Sequence, residues 1–243
     1  MRAADTAPTT GELRVMTSGA FTAAHLALLP QVEALTGQKV LTLTTSIGTG
    51  ETSIPNRLKR GEVADVVMVV SAVMQQFIGA GHVVAESCTP LARSTIGIAV
   101  RAGLPKPQID SVEEFTRYML EAKSLAYSAS VSGTYLMSEL FPRLGILEAM
   151  KAKSIWVGNG QRTAAVVARG EAEVCCQQIS EMLPVEGIAH ITPLPAEIQK
   201  ISLYMAAVGA NSTNVAAARQ MIGLLSSPAA AAAIRASGLE PPA

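Results

Sequence analysis

The feature that most constrains this chain is a junction used repeatedly. An apolar, strand-like run stops at a loop of Ser, Thr and Gly, and an amphipathic helical pattern begins at once. Residues 13–16 run into Thr17, Ser18 and Gly19, and residues 40–43 run into Thr44, Thr45, Ser46, Ile47, Gly48, Thr49 and Gly50. Residues 125–129 run into Ser130, Val131, Ser132, Gly133 and Thr134. Strand followed by helix, repeated, implies an α/β fold with a parallel sheet and right-handed crossovers. Each loop also sets hydroxyls and unpaired backbone N–H groups at a helix N-terminus, where the dipole favours an anion. Such a chain is suited to holding something negative.

The alternation comes in two blocks. The first expects strands over 12–17, 39–45 and 64–70 and helices over 22–35, 54–59 and 72–80, with a C-cap signal at Thr36 and Gly37. A strand over 95–100 follows, and the Pro/Gly-containing stretch 102–107 breaks the pattern. The second block expects helices over 111–122, 134–144 and 160–169 and strands over 124–129, 155–157 and 173–177, with Ser111 and Glu114 at capping-box spacing. A strand over 201–208 and Ala-rich helices over 214–225 and 228–236 complete the chain. Two blocks imply two α/β lobes, one of residues 12–92 with 205–243 and one of 93–204, after a flexible lead-in over 1–11. A ligand is expected in a cleft between the lobes.

Composition removes several function classes. The 243 residues are 49% hydrophobic, enough for a substantial core, and 19 Lys+Arg against 19 Asp+Glu cancel to a formal net charge of +0. No bulk field therefore draws the protein to nucleic acid or to an anionic membrane. The apolar stretches fall short of the ~20 residues a membrane-crossing helix needs, so no membrane insertion is expected. No apolar segment follows Met1 to Asp5, so no intact signal peptide is expected, as after removal of one. Cys88, Cys175 and Cys176 lack metal-ligand spacing and read as buried thiols, and His25, His82 and His190 are scattered, so neither a disulfide framework nor a zinc site is expected.

Several segments together resemble the molybdate-binding type of periplasmic substrate-binding protein. They are Leu13 to Ser18, Arg60 to Met68, Gly170 to Val174, and Ser227 to Ala230 with Ile234 to Gly238, in family-like order over nearly the whole chain. The resemblance implies a two-lobe periplasmic-binding-protein-like (type II) fold, lobe closure over the ligand and a periplasmic location. It also carries the ligand-contacting role to Thr17, Ser18, Ser46, Gly48, Thr49, Ser130, Ser132, Gly133, Thr134 and the segment from Gly160 to Arg162. Gln178 departs from it, standing where molybdate binders resemble one another in carrying Tyr. Arg162, at the start of a ligand-facing helix, is a second departure, because a guanidinium fork matches a carboxylate bidentately.

The departures point to a small polycarboxylate. A minority of the family are isomerases that convert trans-aconitate to cis-aconitate without a cofactor, and the chain is similar to them in layout and in its cationic groups. The expected activity is thus a cofactor-independent 1,3-proton shift on a tricarboxylate. The alternative is a non-enzymatic solute-binding protein that delivers a molybdate-like oxyanion or small carboxylate to an ABC permease. Arg93, before the strand at 95–100, is a hinge or ligand candidate, and Gln178 joins the substrate-binding set. Tyr135, His25 and Glu51 are the candidates for a catalytic base, each with a rival reading as a core or surface residue, and no triad or carboxylate dyad stands out.

Overall fold

The structure, a computed structural model, describes residues 11–47, 50–158 and 161–242. Along the chain the first elements are β1 (Glu12–Thr17), α1 (Gly19–Thr36), β2 (Lys39–Thr44), α2 (Ile54–Lys59), β3 (Val66–Val70), α3 (Ser71–Gly79) and β4 (Thr89–Ser94). Next come β5 (Ile96–Arg101), α4 (Val112–Glu121), β6 (Leu125–Ser128) and a helical run of α5 (Val131–Tyr135), a π segment (Leu136–Leu140) and α6 (Phe141–Arg143). The chain continues with α7 (Leu147–Lys151), β7 (Ser154–Val157), α8 (Thr163–Ala168), β8 (Val174–Gln178), α9 (Ile179–Met182) and β9 (Ile188–Pro193). It ends with β10 (Ser202–Val208), α10 (Val215–Leu225) and α11 (Ala231–Ala236).

Two compact units result. The first takes the chain to Ala92, then Leu203–Arg235 and the residues from Pro241; the second takes Arg93–Ser202 and Ala236–Glu240. The division therefore falls inside β4 and β10. Residues 236–240 go with the second unit because Glu240 exchanges backbone hydrogen bonds with Arg93 in both directions, at 2.7 and 2.9 Å.

The sheet of the first unit has the order β2-β1-β3-β10-β4, and that of the second β7-β6-β8-β5-β9. Both depart from the purely parallel sheet expected from the βα alternation. β1 runs parallel to β2, from Glu12 opposite Lys39 to Thr17 opposite Thr44, and parallel to β3, but β10 lies antiparallel to β3. In the second unit β6 is parallel to β7 and β8, whereas β5 is antiparallel to β8 and β9. The antiparallel strands are those that enter a unit without a preceding strand–helix crossover, so the handed connection that enforces parallel pairing does not act on them.

Burial explains the sequence pattern. All five residues of β3 and all five of β8 are buried, as central strands covered on both faces require. In the first unit Met16, Val67, Val69 and Ala207 from the sheet pack with Ile54, Leu58, Met74 and Phe77. In the second, Ile96, Ile98, Leu125 and Val174 pack on one face with Phe115, Leu136 and Phe141, while Ala99, Ala126 and Cys175 pack on the other with Val167 and Met182. Local signals act as their chemistry dictates. Gly37, at φ 68°, closes α1 by donating to Glu33 O, and Ser111 accepts from Glu114 N at 3.1 Å while Glu114 Oε2 accepts from Asp110 N at 2.9 Å.

Candidate functional site

Parallel strands bring their carboxyl ends to one edge of a sheet, so the loops after β1 and β2 share an edge in the first unit. At that edge Thr17 is fully buried, with Oγ1 donating to Ser18 O at 3.2 Å. Ser18 has the extended backbone of an N-cap for α1, yet its side chain makes no cap bond, and its Oγ is buried without a partner among the described residues. A buried hydroxyl left unpaired costs about 1–3 kcal/mol. At the N-terminus of an 18-residue helix, that hydroxyl and the free N–H groups of the first turn form a donor set for an anion. Ser53, fully buried before α2, has the same unpartnered Oγ. Ser46 is exposed, and its carbonyl accepts from Ile54 N at 2.9 Å. Gly48, Thr49 and the lead-in over 1–10 lie outside the described residues.

The second unit gathers more at its corresponding edge, where β6 lies between β7 and β8. Ser128 Oγ donates to Ser130 Oγ at 3.1 Å, Ser130 and Ser132 share a hydrogen bond of 2.9 Å, and Gly133 N donates to Ser130 Oγ at 3.4 Å. Helix α5 thus starts at Val131, three residues before the expected start at residue 134, because Ser130 caps it. The chain passes so close here that a Cβ on Gly133 would lie 1.8 Å from the Ser128 carbonyl oxygen. Thr134 is exposed one residue further on.

Across the same edge, Arg162 is exposed at the N-cap of α8, and its guanidinium has no ion pair or hydrogen bond among the described residues. Gly160 lies outside the described residues. Thr163, fully buried, donates through Oγ1 to Gln177 Oε1 at 2.5 Å, and Gln177 Nε2 in turn donates to Glu181 Oε2. Burial raises the Glu181 carboxyl above the usual carboxylate range, against smaller opposing influences from the Gln177 hydrogen bond and the charge of Arg162. The residue as a whole keeps partial exposure while its carboxyl lies among packed neighbours.

The structure brings Ser130, Ser132, Gly133 and Arg162 to one sheet edge, and Thr17 and Ser18 to the edge of the other unit. The other sequence candidates have contacts of their own. Gln178 is 3% exposed; its Oε1 accepts from Ser94 Oγ at 2.7 Å and its Nε2 donates to Ser202 Oγ at 3.3 Å, so it ties β8 to the residues flanking the unit boundary. Tyr135 lies in the second unit's core, its hydroxyl donating to Ile198 O at 2.9 Å and its ring under Lys200 Nζ at 4.8 Å. His25 is fully buried on α1, with Nε2 2.8 Å from Thr42 Oγ1. Desolvation lowers its pKa from 6.5 to about 4, which keeps the ring neutral. Glu51 is exposed, its backbone carbonyl accepting from Arg60 Nη1 at 2.9 Å. Arg93 is half-buried and held through its backbone to Glu240.

Sequence reading missed Thr163, Gln177 and Glu181, although the spacing of four between Gln177 and Glu181 across a strand-to-helix junction is the signal that could have found them. Burial raises the thiols of Cys88, Cys175 and Cys176, that of Cys175 to about 12, which keeps them protonated. Among the described residues no group of three His, Cys, Asp or Glu could hold a metal ion, and no helix is long and apolar enough to cross a membrane.

Comparison with known proteins adds four findings. A family profile described as bacterial extracellular solute-binding protein matches residues 13–240. An aconitate isomerase from a Pseudomonas species is 39% identical over 230 residues, covering 94% of this chain and 87% of that protein. The periplasmic molybdate-binding protein of Azotobacter vinelandii has the same fold at a TM-score of 0.76 and 17% identity, covering 95% of this chain and 100% of that one. The sulfate-binding protein SubI of Mycobacterium tuberculosis shares it at a TM-score of 0.73 and 17% identity, covering 95% and 87%.

Proposed function

We propose that this chain, which belongs to the family of bacterial extracellular solute-binding proteins, is a cofactor-independent isomerase that interconverts trans- and cis-aconitate in the periplasm. The observation that carries the reading is the match of nearly the whole chain to an aconitate isomerase. The geometry supports it. Arg162 offers a guanidinium that is uncommitted among the described residues, at a sheet edge and suited to bidentate capture of a carboxylate, and the serine cluster beside the start of α5 supplies neutral donors. Ser18, whose hydroxyl at the start of α1 has no partner among the described residues, supplies another donor of the same kind.

The reaction asks for little beyond such groups. A base removes a proton from the methylene next to one carboxylate, the double bond moves, and the proton returns two carbons away. Electrons and atoms balance within the substrate. The barrier lies in the enolate-like charge that develops on a carboxylate, and fixed cationic and N–H donors aimed at that carboxylate lower it. We assign substrate contacts to Ser132, Thr134 and Arg162 in the second unit and, as a separate set, to Ser18, Ser46 and Thr49 in the first.

The test is direct. Incubation of the pure protein with trans-aconitate, followed by proton NMR, should show cis-aconitate accumulating to an equilibrium ratio reached from either isomer. Thermal-shift titration should show stabilisation by aconitate or citrate and little by molybdate. Stabilisation by molybdate or sulfate alone, without turnover, would replace this reading with that of a binding protein for a small anion.

A further inference from the structure

We propose that Glu181 is the group that carries the proton in the double-bond shift, an assignment that rests on the isomerase reading above. The argument is geometric. Glu181 lies in the first turn of α9, directly beyond the carboxyl end of β8, and is linked through Gln177 and Thr163 to the N-terminus of α8, where Arg162 stands. Thr163 occupies the carbonyl of Gln177, which turns the amide nitrogen towards Glu181 Oε2. One carboxylate oxygen is thereby held, and Oε1 has no hydrogen bond among the described residues. An oriented carboxylate with one committed and one open oxygen, at the same strand ends as a guanidinium without a partner among the described residues, is what a base needs when it must act beside a captured carboxylate. His25 and Tyr135 lack this combination, since both are enclosed in cores.

Basicity points the same way. A carboxylate at its ordinary pKa is a weak base towards carbon, and the burial that raises Glu181 narrows the gap. The charged and titratable groups on the elements around it fit this role. Arg162 opposes the rise and favours the ionised form, while Cys175 on β8 stays a neutral thiol. Arg101 sits at the far end of β5 from Ile96, the residue paired with Gln178, and His190 on β9 is exposed.

In the step itself, Glu181 Oε1 takes the methylene proton as the C–H bond breaks. The freed electron pair forms the new C=C, and the old double bond's electrons move to the far carbon and its carboxylate. The protonated carboxyl, trading its proton with solvent in competition with transfer, then delivers a proton to the far carbon or back to the first. No redox partner enters.

The experiment uses wild type, Glu181→Gln and Glu181→Asp with trans-aconitate in D2O. Glu181→Gln should bind trans-aconitate within severalfold of wild type by thermal shift, yet lose about 10²- to 10⁴-fold both in isomerisation and in exchange of the methylene protons with solvent. Glu181→Asp, whose carboxyl is withdrawn by one methylene, should lose kcat with KM little changed and shift the acidic limb of the pH–rate profile. Because a folding defect in Glu181→Gln would also abolish activity, Glu181→Asp decides that case. Wild-type kcat and an unchanged acidic limb in that variant, or wild-type exchange in Glu181→Gln, would overturn the assignment while leaving the isomerase reading intact. Wild-type protein that binds trans-aconitate but neither isomerises nor exchanges it would overturn both.

Discussion

Substitution of Arg162 separates binding chemistry from folding more cleanly than any other change in this chain. The structural contribution of Arg162 at the start of α8 is its backbone carbonyl, which accepts from Ala165 N at 3.0 Å and survives any substitution. Its exposed side chain holds nothing else together among the described residues, so Arg162→Ala should leave stability within about 0.5 kcal/mol of wild type. With substrate bound the balance reverses. Removing one bidentate, charge-assisted contact to a desolvated carboxylate costs about 2–5 kcal/mol, equivalent to a loss of about 30- to several-thousand-fold in kcat/KM. Arg162→Lys keeps the charge but loses the planar fork, so it should fall between wild type and Ala. A second consequence follows from the attraction between Arg162 and Glu181. Without the guanidinium, the Glu181 carboxyl should titrate higher still, and the acidic limb of the Arg162→Ala profile should move to higher pH than that of wild type or Arg162→Lys. Chemical denaturation and NMR-monitored kinetics over pH give every quantity needed. Wild-type kcat/KM in both variants would return Arg162 to the solvated surface and remove the carboxylate argument from the second unit.

Three further changes test other parts of the structure. Gly133→Ala would force a Cβ to 1.8 Å from the Ser128 carbonyl oxygen, so α5 must shift; a stability loss of about 1–3 kcal/mol or more by urea denaturation, with weakened trans-aconitate binding, is expected. His25 protonates near 6.5 when unfolded but only near pH 4 when folded, so its contribution is complete above pH 6.5 and is lost as pH falls towards 4. That difference amounts to about 3 kcal/mol, and the stability gap between wild type and His25→Leu should narrow by roughly that amount over this window. A gap independent of pH would refute the desolvated ring. Gln178→Leu strands the hydroxyls of Ser94 and Ser202 and should cost about 1–3 kcal/mol of stability with kcat/KM within a few-fold of wild type. Lost activity at unchanged stability would instead make Gln178 a ligand contact.

What the sequence made legible, and what it hid, divides by the distance over which each interaction acts. Junction chemistry is local, so the strand ends before Ser18 and Ser130, the Gly37 cap and the Ser111–Glu114 box could be read from neighbours along the chain. The antiparallel placement of β10 against β3 could not, because nothing in residues 202–208 reveals that they return to a sheet begun at residue 12. The fate of Gln178 likewise needed Ser94 and Ser202, which lie 84 and 24 positions away in the chain. The base proposed above is hidden in the sequence for a related reason. His25 and Tyr135 drew attention because their side chains are scarce and chemically versatile, but versatility says nothing about burial, and both serve cores. Glu181 is an unremarkable residue type in a chain with many carboxylates. What distinguishes it is a chain of partners: Thr163 fixing Gln177, Gln177 fixing Glu181, and Arg162 beside them. Those relations exist once β7 and β8 flank β6, so an acid–base assignment in this fold has to be argued from tertiary pairing, whereas the anion-holding loops can be argued from the junctions alone.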